Sequence, residues 1–314
     1  MVLGKKMTKN FEIDYFGKPL SIETDHLAKQ ANGSVLVKYG HTYVLVTAVA
    51  AKSNENSMGY FPLTCLYQVK GYALGKIPGG FLKRESKPSD SETLISRLID
   101  RPIRPLFDKS YQAETQVVAT LLSYDPENPP EVAALLGASA ALLISDIPFS
   151  KPVAGAFVGY IDQKFVLNPG QEEMAKSALN LFMVGTKDAI TMVESEAKEL
   201  DQKIMLEALE FGHKAIQPLI ELQEKMAKKV GRAKIEIAPL AYAKEMDKLV
   251  RKVVSEPLKK ILKVKDKLER YGQMDALKDS LMAEVEGKEW SKDKILEAYE
   301  EVKGEIMRKA VVDK

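Results

Sequence analysis

The sequence predicts an α+β fold, with a core made of two β/α halves followed by a small all-helical domain. Alternating apolar residues typical of strands recur through the first part of the chain, and a helical pattern follows them twice. Near residue 235 the strand patterns stop, and charged amphipathic helices joined by short turns begin. We therefore predict that residues 1–147 and 148–234 form the two halves of the core and residues 235–314 the helical domain.

The first half is predicted to consist mainly of strands and to end in a helix. Two short strands surround a Gly-Lys-Pro turn at Gly17, a hairpin turns around Gly40, and a further strand covers residues 116–124. A helix is predicted over residues 131–145. Its run of glycine, alanine and serine would let the helix lie close against a sheet, so these small residues indicate packing.

The second half repeats the same order of elements. Two strands are predicted on either side of a turn at Asp162 and Gln163, and two more on either side of a Lys187-Asp188 turn. A helix is predicted from residue 195 to about residue 229. In the helical domain, Trp290 is interpreted as an anchor of the core and not as a ligand-stacking group.

Composition and cysteine content exclude several classes of function. The 314 residues are 45% hydrophobic and 29% charged, with a net charge of +2, so a surface that binds a polyanion has to be local. The single cysteine, Cys65, excludes an intramolecular disulfide, and its apolar neighbours indicate a buried, inert thiol. The three histidines have no metal-ligand spacing, so no metal site is predicted.

The sequence offers no evidence of a membrane or secretory protein. Its N-terminus lacks the apolar segment of a signal peptide. The longest apolar run, residues 132–144, is about thirteen residues long and too short to span a bilayer. We therefore expect a cytoplasmic protein that makes no membrane contact.

Residues 79–107 concentrate more chemistry than any other segment of the chain. Two glycines permit a tight turn, after which Phe81, Lys83 and Arg84 place an aromatic ring and two cations on one loop. Ser89 and Glu92 then have the spacing of a capping box, which predicts a helix that ends before the proline at position 102. Bases stack on exposed aromatic rings and cations neutralise phosphates, so the loop is typical of a single-stranded RNA contact.

A cluster of three arginines follows on this helix and just beyond it. Arg97, Arg101 and Arg104 are three or four residues apart and would repel one another unless an anion lay between them. This pattern favours RNA or another polyanion. The alternative is structural, because Asp100 has the helical spacing needed to pair with Arg97 and Arg104.

Five motifs in the chain resemble one protein family. In chain order they are QANGSVLVKYGHTYVLVTAV, KIPGGFLKRESKPSDSETLISRLIDRPIRPLF, LLGASAALLISDIPF, LFMVGTKDAITMVESEA and LERYGQMDALK. The first four resemble the first RNase PH-type core of the bacterial polynucleotide phosphorylase family, and the fifth resembles the helical linker that follows that core. The resemblance therefore implies an RNase PH-type core made of two β/α halves.

The resemblance also implies an activity and a set of partners. Members of this family use inorganic phosphate to release nucleoside diphosphates from RNA 3′ ends, reversibly, with Mg²⁺, as ring-shaped homotrimers in RNA degradation. This chain would be the RNA-guiding and trimer-forming N-terminal part of such a 3′-to-5′ exoribonuclease, with single-stranded RNA and RNA-degradosome proteins as partners. A second core and two small RNA-binding domains would follow it, so the chain resembles a truncated fragment.

The resemblance further implies that this core is noncatalytic. Where active cores hold phosphate, the chain has Pro129, Pro130 and Glu131; proline donates no amide hydrogen bond and a carboxylate repels phosphate. By alignment, the metal-binding carboxylates and a catalytic lysine of active cores fall on Ala178, Asn180 and Phe182. We therefore expect no catalytic residue, metal or cofactor in this chain, with Mg²⁺ bound by the second core.

The site residues implied by the resemblance lie in the segment already singled out. Phe81 would stack on a base at the ring entrance, and Lys83 and Arg84 would contact phosphates there. The guides for the RNA backbone would be Arg97, Arg101 and Arg104. Family members commonly carry two aromatic residues and two arginines where this chain has Phe-Leu-Lys-Arg, so the grip would be looser. The alternative is a purely structural ring scaffold whose cations form salt bridges between subunits.

Overall fold

The computed structural model describes residues 9–52, 60–78, 81, 85, 87–108, 110–237, 244–288 and 290–313. The chain divides into two compact units, residues 1–237 and 238–314, and each unit has its own hydrophobic core. Both predicted β/α halves lie in the first unit and contribute to one core. The predicted site residues Lys83 and Arg84 lie outside the described residues.

Six strands of the first unit form a mixed sheet. They are β1 Lys9–Tyr15, β2 Lys18–Thr24, β3 Gly33–Tyr39, β4 Thr42–Ala50, β5 Leu63–Val69 and β6 Thr115–Ser123. The spatial order is β1-β2-β3-β4-β6-β5, and every neighbouring pair is antiparallel except the parallel pair β5 and β6. The hairpin predicted around Gly40 is confirmed, since a two-residue turn joins β3 to β4.

Two helices accompany this sheet, α1 Asp90–Ile103 and α2 Pro130–Ile144. Helix α2 contacts β3 and β4 of the first sheet and also β7 (Ala154–Ile161), a strand of the second sheet. A Cβ atom on Gly137 would lie 2.5 Å from Cγ2 of Val46, so the missing side chain is what allows this approach. The predicted packing role of the small residues in this helix is therefore confirmed.

The second sheet has four antiparallel strands in the order β10-β9-β7-β8. The remaining strands are β8 Lys164–Leu167, β9 Leu179–Gly185 and β10 Ile190–Ala197, and the helices are α3 Gln171–Lys176 and α4 Gln202–Val230. The turn predicted at Asp162 and Gln163 is confirmed, with positive φ angles of 48° and 62°. Helix α4 contacts β7 and β9 and also packs against α2.

Two sequence predictions about element bounds are wrong, and one strand was missed. Helix α1 continues through Pro102 to Ile103, because a proline in the last turn removes only one hydrogen bond and its ring is buried in the core. Helix α4 begins seven residues later than predicted, since Asp201 caps its start by accepting a bond from the amide of Lys203. Strand β5 was not predicted at all.

The second unit contains three helices in its described part, α5 Lys244–Ile261, α6 Lys267–Glu284 and α7 Lys292–Val312. Its core includes the fully buried Tyr299, Val250, Val254 and Leu281. Trp290 packs partly buried against this core, which confirms its predicted role as an anchor. Among all the helices that the structure describes, none is long and apolar enough to cross a membrane.

Candidate nucleic-acid interface

Helix α1 lies against β5, the edge strand of the six-stranded sheet, and its side chains bond the open edge. The carboxylate of Glu92 accepts a hydrogen bond of 2.7 Å from the amide of Val69. One turn later, the hydroxyl of Ser96 accepts a bond of 2.8 Å from the amide of Tyr67. Residues four apart share one helix face, so α1 presents a polar stripe to this edge.

Arg104 extends the stripe to the start of β5. Its guanidinium donates bonds of 3.0 Å to the carbonyl of Phe61 and 2.8 Å to the carbonyl of Leu63. It also donates two bonds to the carboxylate of Asp100, at 2.8 and 3.1 Å. The structural pairing of Asp100 with Arg104 is therefore present, and this guanidinium is committed to the edge of the sheet.

Two acidic side chains, those of Glu85 and Glu92, anchor the loop that precedes α1. The Glu85 carboxylate accepts bonds of 2.9 Å from the amide of Gly71 and 3.0 Å from Nζ of Lys70. These bonds lower the pKa of Glu85. Glu92 accepts a bond of 2.8 Å from the amide of Ser89, which completes the predicted capping box. The loop between β5 and α1 is thus attached at described points on both sides of residue 81.

Phe81 is 99% exposed and is the most exposed large apolar side chain that the structure describes. A fully exposed phenylalanine makes no packing contribution to its own fold, and its ring is available to stack on a ligand. Leu82, Lys83 and Arg84 follow it in sequence but lie outside the described residues. The structure therefore places the aromatic member of the predicted loop on the surface.

The other two arginines of the cluster differ in their partners. Arg101 forms an ion pair of 2.8 Å with Glu194 on β10, and both side chains are about half exposed. Arg97 is exposed and makes no hydrogen bond or ion pair with any residue in the described part of the chain. The cluster predicted from sequence thus separates into two paired arginines and one whose guanidinium is available to an outside anion.

Four of the residues at positions where the resemblance implied catalytic groups in active cores line a cleft of about 390 Å³ beside the start of α2. Its lining includes Pro129, Pro130, Glu131 and Asn180. Burial raises the pKa of Glu131, which has no cationic partner in the described ranges. Ala178 and Phe182 do not line the cleft, but the buried ring of Phe182 packs against Phe157, which does. These residues supply neither phosphate-binding amides nor a set of carboxylates for Mg²⁺, so the cleft does not fit that ion.

The structure also shows where the potential metal-binding side chains and the single thiol lie. Within the described ranges, no three His, Cys, Asp or Glu side chains are placed to hold a metal ion. Cys65 lies on β5 and is buried, as predicted. Burial and the nearby carboxylate of Asp100 raise the pKa of this thiol, so it remains protonated and unreactive near neutral pH.

The polar stripe on α1 was not predicted from the sequence. Its signal was the four-residue spacing of Glu92, Ser96, Asp100 and Arg104, which is visible in the sequence. The second signal was the alternation of buried residues in LTCLYQV, which would have predicted β5 beside the helix. Together they would have indicated a strand edge as the partner of these polar groups.

Two family models match the core, one after the other. Domain 1 of the 3′ exoribonuclease family matches residues 17–148, and domain 2 of that family matches residues 151–215. A third model, described as polyribonucleotide nucleotidyltransferase, RNA binding domain, matches residues 245–314. The chain belongs to the 3′ exoribonuclease family, the RNase PH family, as its motifs predicted.

The curated relatives that the chain resembles are named polyribonucleotide nucleotidyltransferase. The enzyme of that name from Bartonella tribocorum is 43% identical over 311 residues, which cover 98% of this chain and 42% of the relative. The one from Geobacillus kaustophilus is 46% identical over 308 residues, covering 97% of this chain and 42% of the relative. The chain therefore spans less than half the length of these relatives.

The fold is also found in a solved structure. The crystal structure of rice (Oryza sativa) Rrp46 aligns with a TM-score of 0.55 at 14% sequence identity, covering 67% of this chain and 95% of that chain. At this identity the similarity establishes the fold alone. Together with the two family models, it confirms the predicted α+β core of RNase PH type.

Proposed function

We propose that this chain is the N-terminal, RNA-guiding part of a phosphorolytic 3′-to-5′ exoribonuclease. The whole protein would convert RNA and inorganic phosphate reversibly into nucleoside diphosphates during RNA degradation. The family models and the shared name of the relatives support this activity. The description of the third model supports a contribution of the helical unit to RNA binding.

The observation that carries the guiding role is the full exposure of Phe81 on an anchored loop. An exposed ring offers a stacking platform to any base, and the cations of Lys83 and Arg84 follow it at once in the sequence. Arg97 lies on the helix that the loop leads into, and its exposed guanidinium has no partner among the residues that the structure describes. We assign base stacking to Phe81 and phosphate contacts to the three cations.

The contacts of the other two arginines favour the structural alternative for those residues. Arg104 bonds the edge of β5, and Arg101 pairs with Glu194. A guanidinium already bonded to carbonyl and carboxylate oxygens would have to give up these bonds before it could contact a phosphate. We propose that Arg101 retains a secondary role in RNA guidance through its exposed side, and that Arg104 supports the sheet.

Catalysis is proposed to reside outside this chain. The cleft lined by Glu131 and Asn180 lacks the groups that phosphate and Mg²⁺ require, so both would be held by a second core. The assembled protein would be a cytoplasmic homotrimer that meets RNA-degradosome partners. We expect no release of nucleoside diphosphate when this chain is incubated with RNA, phosphate and Mg²⁺, and chromatographic detection of such release would contradict this assignment.

RNA binding tests the guiding role directly. We expect Phe81→Ala to weaken binding of a fluorescent single-stranded RNA about tenfold, because stacking on an aromatic side chain contributes about 1–3 kcal/mol per base. Arg97→Ala should weaken binding severalfold. It should also make the slope of log affinity against log salt less steep, by the amount expected for the loss of about one phosphate contact. Fluorescence anisotropy at two or more salt concentrations measures both effects.

Two matched variants control for loss of an aromatic ring or a charge in general. Phe16→Ala removes another exposed phenylalanine, on the turn between β1 and β2, and Lys164→Ala removes another exposed cation, at the start of β8. Both should bind RNA as the unmodified chain does. Equal weakening in test and control variants, or unchanged affinity in a folded Phe81→Ala variant, would refute the guiding role, and an assembly defect would favour the scaffold.

A further inference from the structure

A second cleft, of about 590 Å³, lies in the first unit among the start of β1, the β2–β3 connection and the end of α4. Four cationic residues line it: Lys9, Lys29, Lys229 and Arg232. Among the described lining residues, Asp25 is the single carboxylate. The cleft therefore concentrates positive charge in a chain whose net charge is only +2.

None of these four cations forms an ion pair within the described ranges, whereas many other cations of the chain do. The Nζ atom of Lys229 lies 5.8 Å from the centroid of the Phe11 ring, which is a cation–π contact and not an ion pair. The dipole of helix α4 explains the positions of only two of the four cations. Lys229 and Arg232 lie at the end of α4, where cations are favourable to the helix dipole, but Lys9 and Lys29 are not at a helix end.

The segment that carries Arg232 is firmly attached to α2. The amide of Arg232 donates a bond of 3.0 Å to the carbonyl of Ile144, and the amide of Ile235 donates one of 2.8 Å to Asp146. Between them, Nζ of Lys234 donates three bonds of 2.7–2.9 Å to the carbonyls at the end of α2, those of Leu142, Leu143 and Ser145. Arg232 is thus carried by backbone of defined position.

The bonds of Lys234 also change the electrostatics of the cleft. The last carbonyls of a helix carry partial negative charge and would repel an anion near Ile144, which lines this cleft. Because one ammonium group covers three of these oxygens, that negative end is compensated. The positive potential from the four cations is therefore not cancelled by the end of α2.

The residues that line the cleft favour some kinds of anion over others. No aromatic side chain lines the cleft in the part of the chain that the structure describes, so it offers no surface for stacking a base. Its volume lies in the range of small-ligand sites, about 300–1,000 Å³. Cations contributed by three separate segments suit an anion whose charges are spread over several atoms more than a single orthophosphate.

We propose that this cleft binds a chain of linked phosphoryl groups. The chemistry is shared by two sources, the polyphosphate of a free nucleotide and the 5′-triphosphate end of an RNA. In either case the phosphoryl oxygens would be contacted by Lys9, Lys29, Lys229 and Arg232, and the base would remain outside. The site is independent of the RNA contact assigned to Phe81 and Arg97.

Calorimetric titration with inorganic tripolyphosphate tests the proposal. The unmodified chain should bind this probe more tightly than orthophosphate by at least tenfold, and Lys229→Ala/Arg232→Ala should weaken tripolyphosphate binding at least tenfold. The matched control is Lys225→Ala/Lys228→Ala, which removes the same charge from exposed positions of α4 that do not line the cleft. The control should bind within twofold of the unmodified chain.

Three outcomes would overturn the proposal. They are no measurable tripolyphosphate binding at millimolar concentration, equal weakening in the control variant, and loss of binding in a folded Phe81→Ala/Arg97→Ala variant. The last outcome would place the anion at the loop that carries Phe81. Circular dichroism of each variant confirms that the fold is retained, so a loss of binding is not a loss of structure.

The two sources are separated by two further titrations. If free nucleotides are the ligand, ATP should bind as tightly as tripolyphosphate, and 5′-triphosphate RNA should gain nothing over 5′-hydroxyl RNA. If the RNA end is the ligand, 5′-triphosphate RNA should bind at least fivefold more tightly than its 5′-hydroxyl counterpart, and Lys229→Ala/Arg232→Ala should abolish that difference. Either pattern supports a polyphosphate site, and failure of both contradicts it.

Discussion

Replacing Gly33 with alanine should lower the free energy of unfolding of the first unit by about 4 kcal/mol, a large part of the roughly 5–15 kcal/mol by which domains are stable. A Cβ atom at this position on β3 would lie 2.0 Å from the carbonyl oxygen of Ala141 and 2.9 Å from its carbonyl carbon. Both atoms are backbone of α2, so no side-chain rotation relieves the overlap. The helix would have to move away from β3 and open the closely packed core.

Denaturant titration followed by circular dichroism measures this effect. Trp290 is the single tryptophan of the chain and packs in the helical unit, so its fluorescence follows the second unit separately. The unfolding transition of the second unit, followed by Trp290 fluorescence, should be unchanged. Gly272→Ala is the matched control, because nothing lies within 4 Å of its added Cβ, and it should stabilise α6 by up to about 1 kcal/mol. A loss below about 1 kcal/mol in Gly33→Ala would contradict the predicted clash.

The second large effect is expected for Arg104→Ala, which should destabilise the first unit by about 2 kcal/mol while leaving RNA affinity unchanged. The substitution removes the donors to the carbonyls of Phe61 and Leu63 and leaves the Asp100 carboxylate without its cation. The ion pair is partly exposed, so its own share of this loss is small. Thermal unfolding together with RNA anisotropy below the transition separates the two readouts.

Arg97→Ala is the natural counterpart, since Arg97 lies on the same helix and has no partner in the described part of the chain. It should change stability by less than about 0.5 kcal/mol and weaken RNA binding. Arg104→Lys should recover part of the lost stability, because an ammonium can pair with Asp100 but lacks the fork that reaches two carbonyls. Reduced RNA affinity in a folded Arg104→Ala variant would instead make Arg104 a guide.

Most strands and turns could be predicted because their signals are local. The hairpin around Gly40 and the turn at Asp162 and Gln163 follow from alternation of apolar residues and from turn-forming types. Strand β5 was missed although its burial alternates, because no hairpin turn adjoins it and its partner β6 is distant in sequence and parallel. The end of α1 was misplaced since the cost of Pro102 depends on tertiary burial.

The candidate site was predictable in its composition but not in its division of roles. Sequence spacing makes Arg97, Arg101 and Arg104 nearly equivalent, as all three lie on or beside one helix. Their partners differ because β5 lies beside one arginine and β10 beside another, and neither neighbour is encoded in the local pattern. Phe81 could be identified from sequence since an aromatic residue between glycines and cations has few structural uses.

The bonds from α1 to β5 also restrict how this protein can associate. An unpaired strand edge can recruit an extended peptide or the edge of another copy, which leads to strand addition or aggregation. Here the amides of Tyr67 and Val69 and the carbonyl of Leu63 already have partners on the helix side. A continuous intermolecular sheet through β5 is therefore blocked, and any association with another copy would have to use side-chain packing or another edge.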